Sequence, residues 1–87
     1  MASCDVVIGR QAAKFLEKLH DRDLISRLFG KIEMLESSPM SPDVKKIRGT
    51  VSDYRLRVGD YRIIYRVLSD ERKIFIIDIG HRKEIYR

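Results

Sequence analysis

The sequence predicts an α+β fold, in which an N-terminal helical hairpin packs on one face of a mainly antiparallel four-stranded sheet. In the first half of the chain, apolar residues recur at the three- and four-residue intervals of a helix face. In the second half they alternate with polar residues, as half-buried strands do. The predicted order is β-α-α-β-β-β, and we expect the 87 residues to form one domain over residues 1–87.

The first two predicted elements are a short strand and a helix. Residues 6–8 are β-branched, which favours a strand, and Gly9 ends it. From Arg10 onward the periodicity is helical, and this helix ends near His20. The apolar residues that share one face of the helix are Ala12, Phe15, Leu16 and Leu19.

A second helix follows after a short link, so that the two helices form a hairpin. Asp21 or Asp23 can cap it by accepting a backbone N–H bond, and residues 37–39 stop it. Its apolar residues recur at helical spacing: Ile25, Leu28, Phe29, Ile32 and Leu35. Gly30 is unfavourable inside a helix, so we expect it to stand where something packs closely.

Two alternating runs flank residues 59–60, a Gly-Asp pair that predicts a two-residue turn between antiparallel strands. This turn places Arg57 opposite Arg62, and Asp53 opposite Arg66. The alternation directs one mostly apolar set toward the helices: Tyr54, Leu56, Val58, Tyr61, Ile63 and Tyr65.

Three arginines of this hairpin share the other face of the sheet: Arg55, Arg57 and Arg62. Directly opposed like charges destabilise a sheet, so a sequence under no other demand would disperse them. Planar guanidinium groups match phosphate oxygens and stay charged, so the cluster predicts a phosphate-binding surface. A solvated sheet face is the alternative interpretation. Arg66 has Asp53 as an ion-pair partner, and we interpret it as structural.

A near-continuous apolar run over residues 73–79 predicts a central strand. The segment after this strand supplies side chains that can transfer protons or bind anions. His81 exchanges protons near neutral pH, Arg82 and Lys83 add positive charge, and Tyr86 supplies a phenol. The structural alternatives are a histidine that follows a strand end and a tyrosine ring that covers the edge of the core.

Positive charge is concentrated in the second half of the chain. The net charge is +5; residues 1–43 carry six basic and seven acidic side chains, whereas residues 44–87 carry twelve basic and six acidic ones. Eight of those twelve are arginines. This excess indicates a polyanionic partner, most often nucleic acid, and a merely well-solvated basic domain is the alternative.

Composition excludes several classes of site. Cys4 is the only cysteine, so an internal disulfide and a CxxC zinc site are excluded, and we expect a cytoplasmic location. His20 and His81 are too few to hold zinc alone. The chain has no Walker or GxGxxG loop, so we expect no nucleotide cofactor, and it has no close pair of carboxylates that suggests a metal-bridging site, so we expect no metal. We also expect no membrane span and no signal peptide, because no apolar run approaches the roughly 18 residues of a span.

Three stretches of the sequence resemble the RelE/ParE toxin superfamily of type II toxin–antitoxin systems. They are Ile47-Arg48-Gly49, the segment "YRLRVGDYRIIY" (residues 54–65) and the ending "GHRKEIY" (residues 80–86). The ending is more similar to the RelE branch, whose members cleave mRNA in the ribosomal A site, than to the ParE branch, which poisons DNA gyrase. The length and the predicted order of elements also agree with the superfamily.

The resemblance implies a metal-independent endoribonuclease, in which the ribose 2′-OH attacks the adjacent phosphate to give a 2′,3′-cyclic phosphate and a free 5′-OH. By position, Arg62 matches the family arginine that stabilises the phosphorane. Arg82 matches the arginine that binds phosphate and protonates the leaving group. Tyr86 matches the tyrosine that stacks on a base and helps orient or deprotonate the 2′-OH. Arg55 and Arg57 stand where some members carry lysines.

Arginine cannot act as a general base, because its pKa lies above about 12. The base is therefore either Tyr86, with its pKa lowered by surrounding cations, or His81, which needs no large shift and is slightly favoured. The remaining basic residues of this region are assigned to RNA and phosphate binding: Lys45, Lys46, Arg48, Arg55, Arg57 and Lys83.

The resemblance also implies partners: a cognate acidic antitoxin that folds on binding, mRNA on the ribosome, and operator DNA bound by the toxin–antitoxin complex. Two alternatives to the nuclease remain open at this point. One is a ParE-like inhibitor of DNA gyrase that cleaves no bond itself. The other is a non-cleaving homologue that acts through the antitoxin and operator DNA.

Overall fold

The computed structural model describes residues 5–37 and 44–81. A 3₁₀ turn (Ser69–Glu71) joins the last two strands. In chain order, the helices and strands of the described residues are β1 (Asp5–Ile8), α1 (Arg10–Lys18), α2 (Arg22–Ser37), β2 (Val44–Lys46), β3 (Asp53–Val58), β4 (Tyr61–Leu68) and β5 (Lys73–His81).

The described strands form one sheet in the order β1-β5-β4-β3-β2, in which β1 runs parallel to β5 and all other neighbours are antiparallel. The α+β class and the mainly antiparallel sheet are confirmed. The predicted number of four strands is wrong, because Val44–Lys46 pairs along β3 as a fifth strand. This edge strand has three residues, two of them lysines, so it carries no alternating apolar pattern that a sequence reading could detect.

Helix α2 buries a face that is slightly rotated from the predicted one: Leu24, Leu28, Ile32 and Leu35. Phe29 was predicted on this face but is 40% exposed, because one residue turns an α-helix by about 100° away from the buried Leu28. Asp21 rather than Asp23 caps the helix, since its Oδ1 accepts the backbone N–H of Leu24 at 3.1 Å. The close packing expected at Gly30 is not found within the described residues: apart from the helix's own backbone, none of their atoms lies within 4 Å of a Cβ built there. Neither described helix is long and apolar enough to cross a membrane.

The core lies between the helices and one side of the sheet. Its largest fully buried side chains come from α2 and the strands β3, β4 and β5: Tyr65, Leu28, Leu35, Leu56, Ile63, Ile74, Ile76 and Ile79. Tyr54 stacks on Tyr65 with ring centroids 5.7 Å apart. Burial, and secondarily the neighbouring Tyr54, raises the pKa of Tyr65 to about 12.

A β-bulge interrupts the pairing of β4 with β5. Ile64 pairs with Asp78 and Tyr65 pairs with Ile76, so Ile77 is an extra residue on β5. The bulge reverses the alternation of β5, and Ile79 therefore returns to the core side while Asp78 faces the other way. Apolar residues thus occupy both sides of β5, with Ile76 and Ile79 toward the core and Phe75, the partner of Arg66, on the other side, and the strand reads as a nearly continuous apolar run.

Candidate nucleic-acid interface

The side of the sheet that faces away from the helices is crossed by two rows of directly paired residues, which point to the same side of a sheet. One row runs Lys45, Arg55, Ile64, Asp78, and the other runs Arg57, Arg62, Gly80. We call this side the free face. It carries the candidate site.

The hairpin register predicted from the Gly-Asp turn is confirmed residue by residue, and it brings Arg55, Arg57 and Arg62 together on the free face. Arg57 and Arg62 are direct cross-strand partners. Lys45, on the strand that the sequence did not reveal, lies beside Arg55. Four cationic side chains therefore occupy adjacent positions on three neighbouring strands.

Two other basic residues assigned to RNA binding lie elsewhere. Lys46 pairs with Tyr54, so the register directs it toward the helix side of the sheet. Arg48 is exposed in the turn that follows β2, next to Gly49, whose φ of 85° marks a left-handed backbone. Neither residue belongs to the cluster of the free face.

Arg66 lies on the same strand and the same side as Arg62, but it is held in an ion pair. Its Nε is 2.6 Å from Oδ1 of Asp53, and its second nitrogen, NH2, is 3.0 Å from Oδ2. These hydrogen bonds and the charge of Asp53 raise the pKa of Arg66. Asp53 is only 8% exposed, so the pair anchors the start of β3 to β4 and confirms the predicted structural contact.

Arg57 does not extend straight away from the sheet. Its Nε donates to the carbonyl oxygen of Gly59 at 3.4 Å, a long and weak bond. The same side chain lines an open cleft of about 500 Å³ between the β3–β4 turn and α2. Arg57 therefore belongs to the free face by its strand position and also lines this cleft with its side chain.

His81 is placed differently from the arginines. It pairs with Tyr61 at the end of the sheet, and the two rings meet edge to face with centroids 5.3 Å apart and an interplanar angle of 75°. Tyr61 in turn contacts Phe15 of α1, with centroids 5.9 Å apart. The register thus directs His81 toward the helix side of the sheet, while its neighbour Gly80 lies opposite Arg62 on the free face.

Arg82, Lys83 and Tyr86 lie outside the described residues, so the structure does not place them relative to Arg62 or Arg55. The described part of the candidate site ends at His81 on β5. The assignment of these three residues to the site therefore stays a prediction.

Asp78 is a residue of the free face that the sequence reasoning missed. It stands in the row of Lys45 and Arg55, and it is diagonal to Arg62 across the β4–β5 pair. Its Oδ1 accepts the backbone N–H of Ile79 at 2.9 Å. No sequence signal could have found it, because strict alternation would have put position 78 on the core side.

The arrangement suits the binding of a sugar-phosphate chain. Guanidinium and ammonium side chains stand on adjacent strands, whose backbones lie about 5 Å apart, and they supply charged hydrogen-bond donors. Within residues 5–37 and 44–81, no group of three or more histidine, cysteine, aspartate or glutamate side chains is placed to hold a metal ion. The described free face therefore offers positive charge beside the carboxylate of Asp78, while the carboxylate of Asp53 on the same side is bound by Arg66.

Comparison with known proteins connects this fold to toxins. Residues 6–86 match the family model described as ParE toxin of type II toxin-antitoxin system, parDE. The chain is 33% identical over 86 residues to RelE1 of Methanocaldococcus jannaschii, which covers 95% of this chain and 94% of that protein. It is 34% identical over 59 residues to the mRNA interferase toxin RelE of Escherichia coli K12, which covers 63% of this chain and 60% of that protein.

Among solved structures, a chain of the archaeal RelE–RelB complex from Pyrococcus horikoshii OT3 superposes with a TM-score of 0.82 at 32% identity. The match covers 94% of this chain and 98% of that one. Sequence and fold thus agree over nearly the whole length. The chain belongs to the RelE/ParE superfamily of type II toxin–antitoxin toxins.

Proposed function

We propose that this protein is the toxin of a type II toxin–antitoxin system and that it cleaves mRNA, in the ribosomal A site, without a metal ion. The observation that carries the proposal is the direct pairing of Arg57 with Arg62, flanked by Arg55 and Lys45 on the same face. The similarity to a relative named as an mRNA interferase supports the same activity.

The proposed reaction is an internal transesterification. The 2′-oxygen bonds to the adjacent phosphorus, the bond from phosphorus to the 5′-oxygen breaks, and the products are a 2′,3′-cyclic phosphate and a 5′-OH. A base takes the proton of the 2′-OH, and an acid returns one to the 5′-oxygen. Arg62 stabilises the charge that develops on the phosphorane, while Arg55, Arg57 and Lys45 hold phosphates along the strand.

The position of His81 bears on the choice of the base. Its ring packs against Tyr61 on the helix side, and this supports a packing role for His81 and proton abstraction by Tyr86. Nearby cations lower the pKa of a phenol, so proton abstraction by Tyr86 requires that its hydroxyl approach the arginines of the free face when RNA is bound. Arg82 then serves as the acid or as a phosphate ligand, and Lys83, Lys46 and Arg48 bind RNA at the periphery.

A site with no strong general base depends on how its substrate is positioned. Correct alignment of the 2′-oxygen, the phosphorus and the leaving oxygen supplies a large part of the rate in such reactions. The ribosome holds mRNA in a defined conformation, so we propose that cleavage requires the ribosome and takes place in the cytoplasm.

The proposed partner in the resting cell is a cognate acidic antitoxin. The similar structure from Pyrococcus horikoshii is a RelE–RelB complex, which supports such a partner. An acidic segment that folds on binding complements the net charge of +5 of this chain. We further propose that the toxin–antitoxin complex binds operator DNA.

Primer-extension mapping of mRNA during induced expression tests the proposed activity. We expect cuts at fixed positions within codons in cells that express the wild-type chain. We expect no cuts with Arg62→Ala, and normal cuts with Arg66→Ala, which removes an arginine from the same side of the same strand. Uncut mRNA in wild-type cells that nevertheless stop growing would remove the nuclease proposal.

A second candidate is inhibition of DNA gyrase. The observation that favours it is the matching family model, which is that of ParE toxins. This function predicts DNA damage signals on expression, intact mRNA, and growth arrest that is indifferent to Arg62→Ala and Tyr86→Phe. The same mapping experiment therefore separates the two candidates.

A further inference from the structure

A basic cleft adjoins the free face and lies between α2 and the β3–β4 turn. It has a volume of about 500 Å³ and is open to solvent. Helix α2 contributes Arg27, Gly30, Lys31 and Met34, and the hairpin contributes Arg57 and Gly59. Among the residues that the structure describes, the charged side chains that line the cleft are all basic. It is therefore a second concentration of positive charge in the described chain.

The cleft and the free face are joined through the hairpin turn. Arg57 is the cross-strand partner of Arg62 on the free face, and its side chain also lines the cleft. From the opposite wall, the guanidinium of Arg27 reaches over the turn, where its NH2 nitrogen lies 2.6 Å from a Cβ built on Gly59. Arg62, Arg57 and Arg27 therefore form a series of positively charged side chains that leads from the free face to α2.

Gly30 keeps the cleft open. Glycine is an unfavourable residue inside a helix, yet apart from the helix's own backbone no atom of residues 5–37 and 44–81 lies within 4 Å of a Cβ built here. Met34 and Val58 provide apolar surface in the same cleft. Guanidinium groups beside an apolar wall suit a nucleotide, whose phosphate needs charged donors and whose base or ribose face tolerates apolar contact.

We propose that an RNA backbone held on the free face continues around the β3–β4 turn into this cleft, where Arg27 binds a phosphate. The inference rests on the proposed function and extends its RNA path beyond the reacting bond. The strand in the cleft is either the flanking part of the cleaved mRNA or a segment of ribosomal RNA, since both present the same sugar-phosphate chemistry.

The experiment measures binding of the full chain to two probes as a function of salt. The first probe is a 2′-O-methylated single-stranded RNA oligonucleotide, which lacks the attacking hydroxyl. The second is the isolated small ribosomal subunit. The logarithm of the binding constant falls with the logarithm of the salt concentration, and each phosphate contact to single-stranded RNA contributes about −0.7 to that slope. For the oligonucleotide, Arg27→Gln should therefore make the slope less negative by about 0.7. Arg22→Gln, on the same helix but outside the cleft, is the matched control and should leave the slope unchanged.

A second pair of variants tests the cleft without removing a native contact. Gly30→Glu places a carboxylate among the basic residues, and Gly30→Gln places a neutral side chain of the same shape in the same open space. We expect Gly30→Glu to weaken RNA binding several-fold relative to Gly30→Gln. Both variants replace glycine by a better helix former, so loss of folding does not confound the comparison.

Weaker binding of the oligonucleotide by Arg27→Gln and Gly30→Glu supports an mRNA path, and an effect on the ribosomal subunit alone supports a ribosomal RNA path. The inference is overturned if Arg27→Gln behaves as Arg22→Gln does with both probes. Polyglutamate serves as a comparison ligand for all variants, and the inference is also overturned if Arg27→Gln weakens binding of polyglutamate but of neither RNA probe, because an acidic protein segment would then occupy the cleft. Failure of the nuclease proposal is a separate result, since it appears as an absence of mRNA cleavage by the wild-type chain.

Discussion

Arg57 and Arg62 lie directly opposite each other on the free face of the β3–β4 hairpin. Like charges in this relation destabilise a sheet by roughly 0.2–1 kcal/mol, so the pair opposes folding while it prepares a surface for phosphate. A neighbouring position shows the arrangement that favours stability. There Arg66 faces Asp53 and makes two hydrogen bonds to its carboxylate.

We expect the opposed arginines Arg57 and Arg62 to lower the stability of the fold while they favour RNA binding. Arg57→Glu should raise the free energy of unfolding by up to about 1 kcal/mol, because a like-charge pair becomes an opposite-charge pair. It should also weaken RNA binding. Urea unfolding at low salt measures the first effect, and Arg66→Glu is the control of opposite sign because it sets a carboxylate against Asp53. Destabilisation by Arg57→Glu would show that repulsion at this pair is negligible.

Two glycines predict opposite responses to the same change. Gly30→Ala should stabilise the chain by about 0.5–1 kcal/mol, because alanine is the better helix former and its methyl group meets no atom within 4 Å. Gly9→Ala should destabilise it, since the new Cβ would lie 2.7 Å from the carbonyl oxygen of Ile76 and 2.8 Å from the ring of Phe75. Chemical denaturation of both variants checks the pair. Equal effects would contradict the packing described at these two sites.

We expect the free energy of unfolding to fall at alkaline pH because of the buried Tyr65. Its pKa is raised by burial from 10.0 to about 12, so the folded chain keeps the phenolic proton above the pH at which the unfolded chain releases it. The stabilising contribution is complete below pH 10 and is lost as the pH rises to about 12, by up to about 1.4 kcal/mol per pH unit. Denaturation across this range should show the slope in the wild-type chain and a smaller slope in Tyr65→Phe. An identical slope in the variant would assign the titration to another group.

His81 and Tyr86 predict different pH–rate profiles. His81→Phe keeps an aromatic ring against Tyr61, and we expect it to cleave ribosome-bound mRNA at close to the wild-type rate. Tyr86→Phe keeps the ring but removes the hydroxyl, and we expect a loss of about 100-fold or more, within the range of general base catalysis. A wild-type profile with an acidic limb that disappears in His81→Phe would return the role of base to His81.

Features set by local chemistry were predictable from the sequence. The Gly-Asp turn determines the register of β3 and β4, and with it the positions of Arg57, Arg62 and the Asp53–Arg66 ion pair. Helical spacing likewise located both helices to within a few residues. These features depend on residues close together in the chain, so a single sequence contains the information that they need.

Features set by pairing across the sheet were not predictable. The bulge at Ile77 depends on how β5 fits both β4 and β1, and it moves Asp78 onto the free face against the alternation of its own strand. The edge strand that places Lys45 beside Arg55 has too few residues to show a pattern. The sequence predicted Phe29 on the buried face of α2, but the structure buries Leu24 and exposes Phe29. Apolar residues flank this face, so the rotation of the helix is determined only when it packs against the sheet.

Single-turnover cleavage of mRNA on purified ribosomes by the wild-type chain, Arg62→Ala and Arg66→Ala tests whether the paired arginines of the free face serve RNA cleavage. We expect the wild-type chain and Arg66→Ala to cleave at similar rates and to leave a cyclic phosphate, and we expect Arg62→Ala to be slower by about 100-fold or more. Cleavage by Arg62→Ala as fast as by the wild-type chain, or ribosome-bound mRNA left intact by the wild-type chain, would contradict the proposed nuclease.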